Sequence, residues 1–334
     1  MFSLRRDARH AIEAPLTTPI EPLHRFSWSF YPLIWLQVNL IRLMAHAPAM
    51  REPIPDDIDV EHTSIPSRDK RRRINVHVYR ARGVKPSGKI VLNWHGSGFI
   101  LHRHGDDRRY CSYIAGQLRD EGVTVYDLDY RKAPEHPFPA CIEDAEDAIL
   151  HFARLSTTTH LAIGGFSAGA MCAVAAASGT KPLLQNSRVQ VSSITAFYPA
   201  TDGRPTAKRT MPKRKPRSGV NISPWIGRIF TTAYIVNLES VYDKRVSLIL
   251  HKAEELPPHL LIIAGNADSL HDDSVNFIDN LNTQCPPHPD AKMLSIPEES
   301  HAWDKRPMCE ESLQSRDYAY KAALESIKAG LGIL

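Results

Sequence analysis

Gly165-Phe166-Ser167-Ala168-Gly169 sets a serine between two glycines. A serine hydroxyl is a weak nucleophile until a base takes its proton. Acyl chemistry at Ser167 therefore also needs a base, a residue to orient that base, and donors for a developing oxyanion. The pentapeptide decides nothing alone, because G-x-S-x-G arises by chance about 0.1 times in a chain of this length. Three other stretches supply the missing parts. "WHGSGFI" (94–100) is a glycine-rich loop able to aim backbone N–H groups. "IIAGNADSLHDDS" (262–274) carries Asp268, with Asp272 and Asp273 as nearby competitors for the same role. "SIPEESHAW" (295–303) carries His301, one of sixteen histidines. "HRH" (102–104) lacks a third ligand in its own stretch and is read as loop, so no metal site is expected.

The elements around these stretches must hold them at one end of a sheet. "IDVEHTSI" (58–65) and "INVHVYR" (74–80) read as two strands pairing antiparallel across the basic "RDKRRR" turn. Short apolar runs then follow at 89–95, 123–130, 160–166, 191–198, 259–265 and 291–297. Helical patterns lie near 107–121, 140–155, 168–178, 272–282 and 309–330. Alternation of continuous apolar strands with helices predicts a parallel sheet covered on both faces. Ser167 falls between the strand "LAIGGF" and the helix "AGAMCAVAAAS", the strand–turn–helix setting in which a serine projects from a tight turn. The flanking residues must then be small, and the helix N-terminus behind the serine offers unpaired N–H groups.

Two segments fall outside this alternation. Residues 1–55 are proline-rich and contain the apolar run "FSWSFYPLIWLQVNLIRLMA" (26–45), which polar residues interrupt. That run falls short of a membrane span and predicts an amphipathic helix, either a cap packed on the domain or an interfacial helix in weak contact with membrane. Residues 200–258 are too long for a simple connection. They read as a partly helical insertion, with "IGRIFTTAYIV" (226–236) its helix. Its basic cluster, from Lys208 to Arg217, is interleaved with proline and has no aromatic platform, so it reads as a solvated loop.

Composition excludes several classes. The chain has 334 residues, 43% of them hydrophobic and 23% charged, which suits a globular domain with a sizeable core. A net charge of +4 gives no reason to propose nucleic acid as a partner. Five cysteines without a C-x-x-C read as free thiols in a reducing, cytoplasmic setting. The N-terminus has early basic residues but no apolar stretch of secretory type after them.

Five stretches together resemble the hormone-sensitive-lipase-like carboxylesterase branch of the α/β hydrolases. "HGSGF" is similar to that family's H-G-G-G-F, and "DYRKAPEHPFPA" (129–140) to its D-Y-R-L-A-P-E-H-x-F-P-A. "GFSAG" resembles G-D-S-A-G, while "DSLHDD" and "SHAW" resemble its acid and histidine motifs, in the order Ser, Asp, His. The resemblance implies an α/β-hydrolase fold: a mostly parallel central sheet with helices on both faces and a helical cap. The cap would comprise residues 1–55 and an insertion at about 203–250, set on a core of 56–334. It implies Ser167 as nucleophile, His301 as base, Asp268 as its orienting acid, and an oxyanion hole at Ser97, Gly98 and Ala168. His95 and the 129–139 segment become structural supports. No cofactor is called for. The implied substrate is a small-to-medium apolar ester, in a chamber lined by Phe26, Trp28, Phe30, Tyr31, Trp35, Trp225 and Phe230. Homodimers through edge strands are common in the family. Acyl transfer would use the same triad, and the fold also serves as a small-molecule receptor where the histidine is lost. Two departures stand out. Ser97 replaces a glycine and would be strained if its φ were positive, and Phe166 replaces the aspartate that usually precedes the nucleophile.

Overall fold

In the computed structural model, eight strands form one sheet in the order β1-β2-β4-β3-β5-β6-β7-β8. The structure describes residues 31–45, 53–155, 157, 159–205, 207 and 215–333. The strands are β1 (Ile58–Pro66), β2 (Arg73–Ala81), β3 (Ile90–Trp94), β4 (Thr124–Leu128), β5 (His160–Phe166), β6 (Gln190–Phe197), β7 (His259–Gly265) and β8 (Ala291–Ile296). β1 pairs antiparallel with β2, and β2 with β4. From β4 through β8 every pairing is parallel. The parallel strands are nearly continuous in buried apolar residues, as a sheet covered on both faces requires.

Helices α3 (Ala140–Leu155), α4 (Ala168–Thr180) and α6 (His271–Thr283) pack on one face of the sheet. α2 (Arg108–Gln117) and α7 (Glu310–Leu331) pack on the other. α4 is buried on all sides and built mostly of Ala and Gly. That composition lets its first turn reach the end of β3: a Cβ on Gly169 would lie 2.0 Å from the Trp94 carbonyl oxygen. A Cβ on Gly165 would lie 2.6 Å from the same oxygen. Both glycines beside Ser167 are therefore demanded by backbone crowding.

Two helices stand apart from these layers. α1 (Tyr31–Ala45) buries Val38 and Ile41 and packs against α5 (Pro224–Tyr234). Ser223 caps α5 by accepting from the Ile226 N–H, and Pro224 occupies the first turn, where no intrahelical donor is needed. Arg42 anchors α1: its guanidinium donates to both Glu135 carboxylate oxygens and to the carbonyls of Ile100 and Ala133. Residues 26–30 of the apolar run, and most of the basic cluster, lie outside the described residues. Among the described residues no helix is long and apolar enough to cross a membrane.

Candidate active site

Ser167 joins β5 to α4 at φ 49°, ψ −117°, a strained conformation for a side-chain-bearing residue. Its N–H donates to the Phe197 carbonyl at 2.8 Å, which ties the turn to β6. His301 Nε2 lies 2.9 Å from Ser167 Oγ, and His301 Nδ1 lies 2.7 Å from Asp268 Oδ2. A carboxylate only accepts, so Nδ1 carries the imidazole proton and the Nε2 lone pair faces the serine hydroxyl. Asp268 is buried, and its second oxygen accepts from the Leu270 N–H at 2.9 Å, which fixes its rotamer. Asp272 instead sits at the exposed start of α6 beside His271. Ser167, His301 and Asp268 thus form one hydrogen-bonded chain from three separate loops.

The His301 loop is held by the insertion. Val220 N–H donates to the His301 carbonyl at 2.8 Å, and Ser300 N–H donates to the Ser218 carbonyl at 3.0 Å. Gly219 makes this approach possible at φ +93°, since a Cβ there would lie 2.6 Å from the His301 oxygen. The Tyr198 ring packs edge-on against the imidazole, with centroids 4.6 Å apart. Its hydroxyl donates to Asp304 Oδ1 at 2.7 Å, three residues past the histidine.

Facing Ser167 is the loop that follows β3. Among the described residues, the N–H groups of Ser97, Gly98 and Ala168 make no recorded bond to a protein acceptor. Gly98 has φ +56°, whereas Ser97 stays outside the left-handed region, so the strain considered for a serine at position 97 does not arise. Its hydroxyl accepts from the Phe99 N–H at 2.9 Å and bonds Tyr130 Oη at 2.7 Å, and Tyr130 in turn donates to the His95 carbonyl. Behind this, Asp129 takes His95 Nε2, the Tyr130 N–H and Lys132 Nζ. Burial pushes the Asp129 carboxyl up, but His95 and the Lys132 ammonium outweigh it and hold the group well below the usual carboxylate range. Burial also lowers His95 to about 4, so it is a neutral strut. The Ala133 N–H closes the support on the Phe99 carbonyl.

Phe166, in place of the usual aspartate, stacks on Phe197 with centroids 4.5 Å apart. The Lys305 ammonium stands 3.2 Å over its ring. That lysine is paired with Asp107 at 2.7 Å and Asp304 at 3.1 Å. Asn93 then bridges Asp107 and Asp127, donating to each at 2.9 Å. Burial pushes both carboxyls up, to about 7. Sequence reading passed over this network, although Asn93 and Asp127 are polar interruptions in otherwise apolar strands. Tyr198 had no such signal, because an aromatic at a strand end reads as core.

The "HRH" stretch does gain further groups from other strands. His104 meets His77 of β2 and Asp127 of β4, with their ligand atoms within 4.8 Å of one another. The His77 and His104 rings are stacked nearly parallel, 3.9 Å between centroids. Parallel rings aim their in-plane lone pairs side by side, so one ring would have to turn before both could hold one ion.

The aromatic chamber expected of the cap is only partly assembled. Phe26, Trp28 and Phe30 lie outside the described residues. Trp35 and Trp225 point outward, 45% and 59% exposed, because α1 and α5 bury other faces. Phe230 does reach the site, with its ring against the Gly98 backbone. Tyr31 donates to the Pro134 carbonyl.

A mostly parallel sheet with a strained serine turn between β5 and α4, and Asp and His in the loops after β7 and β8, defines an α/β hydrolase in its architecture. The family profile for the alpha/beta hydrolase fold matches residues 91–304, and the chain belongs to that family, in its hormone-sensitive-lipase-like carboxylesterase branch. An AB hydrolase superfamily protein of Schizosaccharomyces pombe is 30% identical over 148 residues, 42% of this chain and 41% of its own length. The chain thus spans about two fifths of that curated relative. Ethyl acetate hydrolase of Pseudomonas putida is 28% identical over 235 residues, 66% of this chain and 69% of its own. Among solved structures, the esterase of Pyrobaculum calidifontis aligns with a TM-score of 0.68 at 25% identity, covering 90% of this chain and 92% of that one.

Proposed function

We propose that the protein hydrolyses carboxylic esters of small-to-medium apolar acids through an acyl-enzyme on Ser167. The observation that carries this reading is the chain Asp268–His301–Ser167 at 2.7 and 2.9 Å, with Gly96 of the loop after β3 against Ser167 and the N–H groups of Ser97, Gly98 and Ala168 donating to no protein acceptor among the described residues. Likeness to carboxylesterases supports it independently.

In this reading His301 Nε2 takes the Ser167 proton as Oγ attacks the ester carbonyl. The carbonyl π electrons move to oxygen, and the N–H groups of Ser97, Gly98 and Ala168 receive the resulting oxyanion. Asp268 stabilises the imidazolium and keeps its orientation. His301 then returns the proton to the departing alkoxide. Water, deprotonated by His301, attacks the acyl-enzyme by the same route and releases the acid. An alcohol or amine in place of that water would make the reaction acyl transfer.

Hydrolysis of p-nitrophenyl acetate, butyrate, octanoate and palmitate by wild type and Ser167→Ala tests the proposal. The expected result is turnover with a short-to-medium chain optimum, reduced at least ~10³-fold in the variant. Undiminished turnover in Ser167→Ala overturns it. Adding a competing alcohol or amine separates hydrolysis from transfer, since transfer yields a new ester or amide.

A further inference from the structure

Lys305 follows His301 by one short turn, and its ammonium nitrogen is buried. It stands 3.2 Å over the ring of Phe166, the residue before Ser167. It also lies 2.7 Å from Asp107 and 3.1 Å from Asp304. Burial works against the charged form, but the two carboxylates outweigh it and hold the lysine above its usual range, so the ammonium keeps its charge. A cation on an aromatic face counts for more once water is excluded. Stability alone does not call for a lysine here, because apolar side chains in place of buried ions are often at least as stable.

The same side chain reaches towards His301. Asp304 accepts from Tyr198 Oη at 2.7 Å and from Tyr320 Oη at 3.0 Å, beside its contact with Lys305. The Tyr198 ring lies edge-on against the imidazole, 4.6 Å between centroids. The chain between His301 and Lys305 is tightly wound. Ala302 sits at φ 56°, and a single 3-10 turn covers Trp303–Lys305, with the Lys305 N–H on the Ala302 carbonyl at 3.2 Å. A turn this short passes a displacement of Lys305 on to His301. On the serine side, Phe166 is fully buried and stacked on Phe197, whose carbonyl takes the Ser167 N–H. The 2.9 Å between Ser167 Oγ and His301 Nε2 is thus spanned a second time, from behind, through Phe166, Lys305, Asp304 and Tyr198.

We infer that Lys305 is a positioning residue for the reaction proposed above: it ties the Ser167 turn to the His301 loop and holds hydroxyl and imidazole at hydrogen-bonding separation. It acts through Phe166, Asp304 and Tyr198 rather than on the reacting atoms. The inference rests on the ester reading, so its test includes a probe of Ser167 that needs no ester.

Two quantities are measured well below the thermal midpoint: kcat and KM for p-nitrophenyl butyrate, and the rate at which a fluorophosphonate labels Ser167 (Oγ bonds phosphorus and fluoride leaves). The proteins are wild type, Ser167→Ala as blank, Lys305→Met, Lys305→Arg and Phe166→Leu. In Lys305→Met, kcat and labelling should fall ~10- to 100-fold per folded molecule, the cost of a misplacement of about 1 Å or less. KM should stay within ~3-fold of wild type. Lys305→Arg keeps a cation for the ring and both acids and should recover to within ~5-fold. Phe166→Leu keeps the ion pairs, removes the aromatic face and should slow both rates at least ~5-fold. It decides the matter should Lys305→Met fail to fold. Wild-type rates in folded Lys305→Met or in Phe166→Leu overturn the inference and leave the ester reading in place. So does a loss confined to KM, or one that Lys305→Arg does not relieve. A wild-type Ser167 that the fluorophosphonate does not label overturns the ester reading, and this inference with it.

Discussion

Replacing Ser97 with glycine would restore the commoner motif, and the structure predicts that doing so weakens the protein without speeding it. Ser97 has no positive φ to relieve. Its hydroxyl holds the Phe99 N–H and Tyr130 Oη in a buried network. Glycine would leave that N–H without its partner, at about 1–3 kcal/mol. It would also add backbone freedom to the unfolded chain, worth about 0.5–1 kcal/mol. The total is roughly 2–4 kcal/mol. Unfolding entropy scales at about 2.1 cal/mol/K per residue, so a chain of this size has an unfolding entropy near ~0.7 kcal/mol/K. Ser97→Gly should therefore lower the thermal midpoint by roughly 3–6 °C. Turnover of p-nitrophenyl butyrate should stay level or fall by up to ~10-fold, because a looser loop aims its N–H groups less well. Paired calorimetry and kinetics check both halves. A gain of ~10² or more in kcat with no loss of midpoint would refute the reasoning, since it would mean that the serine had been distorting the oxyanion loop.

Phe230→Ala removes the ring that lies against the Gly98 backbone. Each additional methylene then accommodated is worth about 0.8 kcal/mol, or about fourfold in kcat/KM. The octanoate-to-butyrate ratio should rise ~10-fold or more, and an unchanged ratio would remove Phe230 from the acyl pocket. Asp127→Asn tests the buried acid pair. Burial raises the Asp127 carboxyl to about 7, so between about pH 4 and 7 the folded state holds a proton that the unfolded chain releases. The native aspartate thus loses stability as pH rises through that window, whereas asparagine does not titrate. The midpoint of Asp127→Asn relative to wild type should climb from pH 5 to pH 8, and a flat difference would mean the acid is not held protonated.

How much of this was legible in the sequence depends on how far apart the interacting residues lie. α3 begins at Ala140 because prolines end at 139 and an amphipathic pattern starts there, and both signals are local. The places of Ser167, Asp268 and His301 were readable for a related reason: each follows a strand, and strand ends are marked by a change of period. What could not be read are meetings between distant segments. Trp35 and Trp225 look like lining for a chamber by residue type, yet α1 and α5 bury other faces and leave both outside. "HRH" lacked a third ligand in its own stretch, but His77 and Asp127 arrive from β2 and β4. The Ser97 question turned on one φ angle, which no sequence pattern prints.

The insertion shows why that limit matters for function. Read as sequence, 200–258 is a long interruption with a basic loop and one helix. In three dimensions two parts of it, residues 218–220 and Phe230, act on different parts of the same site. Residues 218–220 bond the backbone at Ser300 and His301, and Phe230 rests on Gly98. One covalent segment therefore holds the backbone at His301, the proposed base, and lies against the Gly98 loop. A displacement of α5 away from Gly98 would pull on Val220, only four residues before Pro224, and through it on the His301 carbonyl. The seating of α5 and the alignment of His301 are thus mechanically linked, and on the proposed mechanism a substitution that loosens α5 should disturb turnover even where it touches neither Ser167 nor His301.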